Sequence, residues 1–113
     1  MGNKDADNTP LLAGTLDLLI LKTLGWEPMH GYGVAEWIRN RTKDDLQIAD
    51  GALYTALHRL EKRGLIQAEW GLSDNNRKAK YYRLTASGRK QLREQSERWA
   101  RYARAVSAVM QPA

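Results

Sequence analysis

The sequence predicts a mainly α domain with one small β-hairpin, closed by a long C-terminal helix. Three observations carry that expectation. Apolar residues recur at helical spacing in three successive segments between Leu11 and Arg63. Just after Gly64 the period drops to two, over two short stretches separated by the turn-forming triplet Asp74-Asn75-Asn76. From Thr85 the helical period returns and holds to about Met110.

In the first segment Leu12, Leu16, Leu19, Ile20, Thr23 and Leu24 share one side. Thr15 offers a cap, although the first turn can equally begin at Leu11. Gly25 and then Pro28 end the run. A second helix carries Val34, Ala35 and Ile38 on its stripe, after a glycine-punctuated entry from Met29 to Gly33. Arg39 to Asp45 reads as a polar connection. The third helix spans about Asp50 to Arg63, with Leu53, Ala56, Leu57 and Leu60 turned inward and Gly64 where a left-handed C-cap residue belongs. Asp50 near its start suits the helix dipole.

Ile66, Ala68 and Trp70 then alternate with Gln67 and Glu69 as a half-buried strand. In the returning strand Tyr82 and Leu84 share one face, Tyr81 and Arg83 the other. Thr85 is placed to cap the final helix. The resulting organisation is a mobile tail over 1–10, a compact domain over 11–84 and a long helix over 85–113.

A chain of 113 residues has room for one domain with its own core. Hydrophobic content of 42% and charged content of 27% fit a soluble globular protein. The absence of cysteine excludes disulfides, thiol catalysis and thiolate metal sites. The longest apolar run, Leu18 to Leu21, is too short for a signal peptide or a membrane span, so a cytoplasmic protein without membrane association is expected. Net charge is +5, unevenly placed: residues 1–58 carry −3 and residues 59–113 carry +8. A basic half beside a mildly acidic half points to a polyanionic partner.

Three helices followed by a hairpin is the order of a winged helix-turn-helix, whose second motif helix enters the major groove of double-stranded DNA. Here that is the helix over Asp50 to Arg63. With its apolar stripe inward, Thr55, Arg59 and Lys62 turn outward, and Gly51 and His58 lie at the edge of that face. The hairpin adds Asn75, Asn76, Arg77, Lys78 and Lys80, donors and cations suited to phosphates or a narrow minor groove. His30 and His58 match no metal spacing and are read as structural or DNA-facing. No nucleophile, acid–base pair or nucleotide-binding loop is present, so neither enzyme activity nor a cofactor or metal is expected.

In the last helix Leu92, Ser96, Trp99, Ala103, Val106 and Met110 recur at spacings of four, three, four, three and four. That is a heptad seam. A helix of about 25 residues extends about 37 Å, more than so small a domain covers, so a homodimer is expected across the seam.

The stretches Gly14-Thr-Leu-Asp-Leu-Leu-Ile-Leu, His30-Gly-Tyr-Gly, Gly51-Ala-Leu-Tyr-Thr-Ala-Leu-His-Arg-Leu-Glu-Lys-Arg-Gly-Leu-Ile, and Lys80-Tyr-Tyr-Arg-Leu-Thr with Gly88 resemble the PadR family of transcriptional regulators, in its short-tailed branch. The resemblance implies a dimeric winged-helix repressor that binds a palindromic operator and releases it on binding a small effector. It implies that Tyr54 supports or touches the DNA backbone. Two positions depart from the family pattern: Ala49 where a capping Ser or Asn is common, and Thr55 where Pro is common. Some relatives hold flat aromatic ligands between paired tryptophans, and Trp99 matches that position. Packing within the seam is the other reading of Trp99. Two other classes of function stay open on sequence alone: a winged helix that binds RNA or protein, and a ligand carrier built around Trp99.

Overall fold

The computed structural model describes residues 14–112, so the tail over 1–10 and the stripe position Leu12 lie outside the described residues. Helix α1 spans Thr15–Trp26, strand β1 Met29–His30, α2 Gly31–Arg41, α3 Asp50–Lys62, β2 Ile66–Leu72, β3 Lys78–Leu84 and α4 Ala86–Met110. The strands form one antiparallel sheet in the order β1-β3-β2. None of the described helices is long and apolar enough to cross a membrane.

Helix α1 corrects two expectations. Thr15 is its first helical residue, and the cap position belongs to Gly14 in the left-handed region at φ 83°. The helix also runs through Gly25 to Trp26. Pro28, not Gly25, stops it, because proline forces the preceding residue into extended backbone and Glu27 adopts that conformation. Gly25 serves packing instead: a Cβ there would lie 3.1 Å from Leu92 Cδ2.

Helix α2 begins at a strand that periodicity did not show. Met29 and His30 pair with Tyr82 and Tyr81, and two residues are too few to display alternation. The His30 ring then caps α2, its Nδ1 accepting from the Gly33 N–H at 2.9 Å. The helix continues two residues past Arg39, where a loop was expected, with Arg39 and Arg41 complementing the dipole in its last turn.

Helix α3 and its exit follow the sequence closely. Leu53, Ala56, Leu57 and Leu60 are fully buried. The chain leaves through Gly64 at φ 76°, with Gly64 N–H donating to the Glu61 carbonyl and Leu65 N–H to the Leu60 carbonyl. Both bonds together satisfy the last turn as a Schellman motif. The core joins this stripe to Ile20, Leu21 and Leu24 of α1, Val34 and Ile38 of α2, and Ile66, Tyr82 and Leu84 of the sheet. Burial holds the Tyr82 phenol above its ordinary pKa range, against the downward pull of the Lys80 ammonium.

The hairpin pairs Ile66 with Leu84, Ala68 with Tyr82, Trp70 with Lys80 and Leu72 with Lys78. Ile66 is buried and Ala68 half-buried, but Trp70 is 63% exposed. The alternation of β2 is real, yet the strand outruns the core, so its outer half has nothing beneath it.

Thr85 caps α4, its hydroxyl accepting from Gly88 N–H at 3.0 Å and donating to the Gly64 carbonyl at 2.7 Å. Gly88 is buried against the Leu65 carbonyl, and an added Cβ would stand 1.9 Å from that oxygen. Such a contact forces backbone to move. Gly88→Ala is therefore expected to destabilise the fold by about 1–3 kcal/mol despite alanine's better helix propensity. Denaturant unfolding checks this; equal or higher stability in the variant contradicts the assigned contact.

Candidate nucleic-acid interface

The buried stripe of α3 dictates what the opposite side presents. Gly51, Tyr54, Thr55, His58, Arg59 and Lys62 are all exposed. Gly51, Thr55, His58 and Lys62 follow one another at spacings of four, three and four, a continuous polar line along the helix. Arg59 lies to one side and is engaged by Asp17 of α1 in an ion pair. Its guanidinium thus braces the recognition helix against α1, a role that 42 residues of separation concealed in the sequence.

Tyr54 lies on the other side of that line. A Cβ on Gly31 would fall 2.7 Å from the tyrosine ring, so the bare glycine lets the ring lie against the start of α2. The ring remains half exposed at 49%. Tyr54, Tyr32 and His30 form one wall of an open groove, and the hairpin forms the other through Trp70, Arg77, Lys78 and Lys80. His30 is tied to this wall by its cap and by an edge-on contact with Tyr81 at 5.5 Å.

The hairpin tip is closed by Ser73 N–H donating to the Arg77 carbonyl and Asn76 N–H to the Ser73 carbonyl, both at 2.8 Å. Asn76 takes φ 59°, a left-handed conformation that asparagine tolerates. Asn75, Asn76, Arg77 and Lys78 are exposed there. Lys80 differs from them. It is half-buried, 3.5 Å from Glu61 Oε1 of α3 and over the Tyr82 ring, and ties the wing to the recognition helix. Among the expected contact residues, Gly51, Thr55, His58, Lys62, Asn76, Arg77 and Lys78 therefore form an open surface, while Arg59 and Lys80 carry internal ion pairs.

The seam residues of α4 divide in the same way. Leu92 packs against the core beside Gly25, within its own chain, and Ser96 is half-buried. Ala103 is half-buried, and Trp99, Val106 and Met110 are exposed. Tyr102 and Val109, which the heptad spacing did not single out, are exposed too and widen the apolar strip. Their signal was the second helical neighbour of each seam position, at one residue's remove.

A polar recognition helix on a three-helix core, followed by a basic β-hairpin, defines a winged-helix DNA-binding module. The chain belongs to the PadR-like family of transcriptional regulators, whose family model, "Transcriptional regulator PadR-like family", matches residues 20–94. It is 34% identical over 101 residues to an uncharacterized protein of Lysinibacillus sphaericus, covering 89% of this chain and 93% of that one. Among solved structures it is similar to a transcriptional regulator from Clostridium thermocellum, with 30% identity, a TM-score of 0.77 and coverage of 87% of this chain and 95% of that one. A PadR-like transcriptional regulator from Bacillus cereus shares 27% identity with a TM-score of 0.78, over 88% of this chain and 95% of that one. The family match ends before Trp99, so the outer half of α4 lies beyond it.

Gly51 separates folding from recognition. No atom stands within 4 Å of where its Cβ would be, so the fold does not require a glycine. Gly51→Ala is expected to stabilise the protein by up to about 1 kcal/mol. It is expected at the same time to weaken DNA binding, because the added methyl stands on the exposed polar line of α3. Thermal unfolding and a gel-shift titration of the same preparation check both halves.

Proposed function

We propose that the protein is a repressor that binds a palindromic operator as a homodimer and releases it when a small planar aromatic compound binds. One observation carries the DNA reading: the uncommitted polar line of α3 stands beside a wing tip whose Arg77 and Lys78 make no internal ion pair among the described residues. Thr55 and His58 are placed to meet base edges in the major groove, with Lys62 and Tyr54 toward the backbone. The wing cations take phosphates on the flanking groove. Repression and effector release come from the resemblance described above, and the cytoplasm is where such a regulator meets its operator.

Dimerisation is supported by the shape of the chain. Its radius of gyration is 15.8 Å, against about 13 Å for a compact domain of this length. The excess is α4, whose outer half presents Trp99, Tyr102, Val106, Val109 and Met110 to solvent in a single chain. A second copy covers this strip and sets two recognition helices at a fixed spacing, about one helical turn of DNA apart. For the effector, Trp99 and Tyr102 border a hollow with Leu18, Gln95 and Arg98, their rings 5.9 Å apart between centroids and tilted by 36°. A flat guest stacked there loosens DNA only if it binds one spacing of the recognition helices better than the other.

Two outcomes are expected. Replacing Arg77 and Lys78 together with Ala weakens every duplex to a similar extent and lowers the slope of log affinity against log salt by about 0.9 per lost phosphate contact. A double variant with wild-type affinity and slope removes the wing from the interface. Val106→Asp places a carboxylate in the dimer seam, at a cost of several kcal/mol if buried unpaired. Sedimentation should then show monomer, with operator affinity lost. A tight dimer in that variant refutes the seam.

A further inference from the structure

The outer half of the hairpin carries a feature that the contacts above leave unused. Residues at even positions of β2 and β3 share one face, set by the pairings Ile66–Leu84, Ala68–Tyr82, Trp70–Lys80 and Leu72–Lys78. The inner half of that face enters the core through Ile66, Tyr82 and Leu84. The outer half continues past the core with Trp70 at 63% and Leu72 at 67% exposure. On the opposite face stand Gln67, Glu69, Tyr81 and Arg83, where Arg83 bonds Glu69 at 2.7 Å and the Tyr81 hydroxyl donates to the Leu72 carbonyl. That face is internally satisfied. Trp70 lines the groove facing Tyr54 and Tyr32, and Leu72 continues the same strand face toward the tip.

An exposed Trp followed on the same face by an exposed Leu makes a contiguous apolar patch with something to cover. Its neighbours say what. Lys78 Nζ lies over the Trp70 ring, 5.4 Å from its centroid, and Arg77 stands next to it at the tip. Apolar surface alternating with cations over a few ångströms matches one polymer well: a nucleic-acid strand, in which the C–H faces of each sugar alternate with an anionic phosphate.

We infer that Trp70 and Leu72 form an apolar strip that packs against the deoxyribose wall of the minor groove, while Lys78 and Arg77 take the phosphates on either side. This rests on the DNA-binding reading and adds a contact that is not ionic. The strip makes the wing's hold on DNA partly independent of salt, because burial of apolar surface releases no counterions.

The experiment uses the full chain and two duplexes: one selected by the wild-type protein from a random pool, and one of mixed sequence about three helical turns long. Trp70→Ala and Leu72→Ser are compared with wild type by affinity across a salt series, alongside Trp70→Phe, which keeps an aromatic face. Both side chains are largely exposed, so all three variants should fold, and circular dichroism verifies this. Trp70→Ala is expected to lose about tenfold in affinity for both duplexes, with the salt slope unchanged, and Trp70→Phe to recover most of that loss. Emission from Trp70, obtained as the difference between wild type and Trp70→Phe, should change on adding DNA. Unchanged affinity overturns the inference, and lowered thermal stability with unchanged affinity does so too by leaving the strip as hairpin packing. A loss of affinity accompanied by a smaller salt slope also overturns it, since Trp70 would then act only by placing Lys78. If wild-type protein binds neither duplex, the DNA reading itself fails, a result separate from any variant.

Discussion

The junction of Gly64, Leu65, Thr85 and Gly88 holds the working parts of this protein in one frame. The Thr85 hydroxyl accepts from the first turn of α4 and donates to the Gly64 carbonyl at the exit of α3, while Thr85 N–H donates to the Leu65 carbonyl. Gly88 lets α4 press directly on that same carbonyl. The end of the recognition helix, the base of the wing and the start of the long helix therefore meet within a few bonds. Backbone packed this closely does not deform gradually.

Around that frame, charge is sorted by position. Four cations are bound internally: Arg59 by Asp17, Lys80 by Glu61, Arg83 by Glu69 and Arg39 by Asp44. Each pair is at least partly exposed and contributes about 1 kcal/mol or less to stability. Their larger effect is orientation, since Arg59 and Lys80 fix the recognition helix to α1 and to the wing. Among the described residues, cations without an ion pair include Lys62, Arg77 and Lys78 on the polar line and wing tip, and Arg89, Lys90, Arg93, Arg98, Arg101 and Arg104 along α4. The basic half of the chain thus contributes less unpaired positive charge than its composition implies.

The helix α4 is divided by burial rather than by sequence pattern. Leu92 and Ser96 lean on the body of the domain, whereas from Trp99 onward the apolar residues face solvent in the isolated chain. One continuous heptad stripe is thus packed on the domain at its start and carries exposed large side chains beyond it. Trp99 and Tyr102, at the start of that exposed part, border a hollow with Leu18 of α1.

Local chemistry was sufficient for much of this architecture. The stripe and Schellman exit of α3, the capping of α4 by Thr85 and its end at Met110 depend on residues within a turn or two of one another, so spacing alone determined them. The same holds for the turn between β2 and β3 and for the exposed line from Gly51 to Lys62. Tertiary structure decided what spacing cannot encode, namely what covers each face. Strand β1 exists because Tyr81 and Tyr82 supply its partners. Leu92 packs on the body of its own domain because Gly25 leaves a place for it, and Arg59 is held in an ion pair because Asp17 of α1 comes within reach. Trp70 sits in a correctly alternating strand yet remains in water, because alternation marks the apolar side of a strand while the extent of the core determines how far that side is buried.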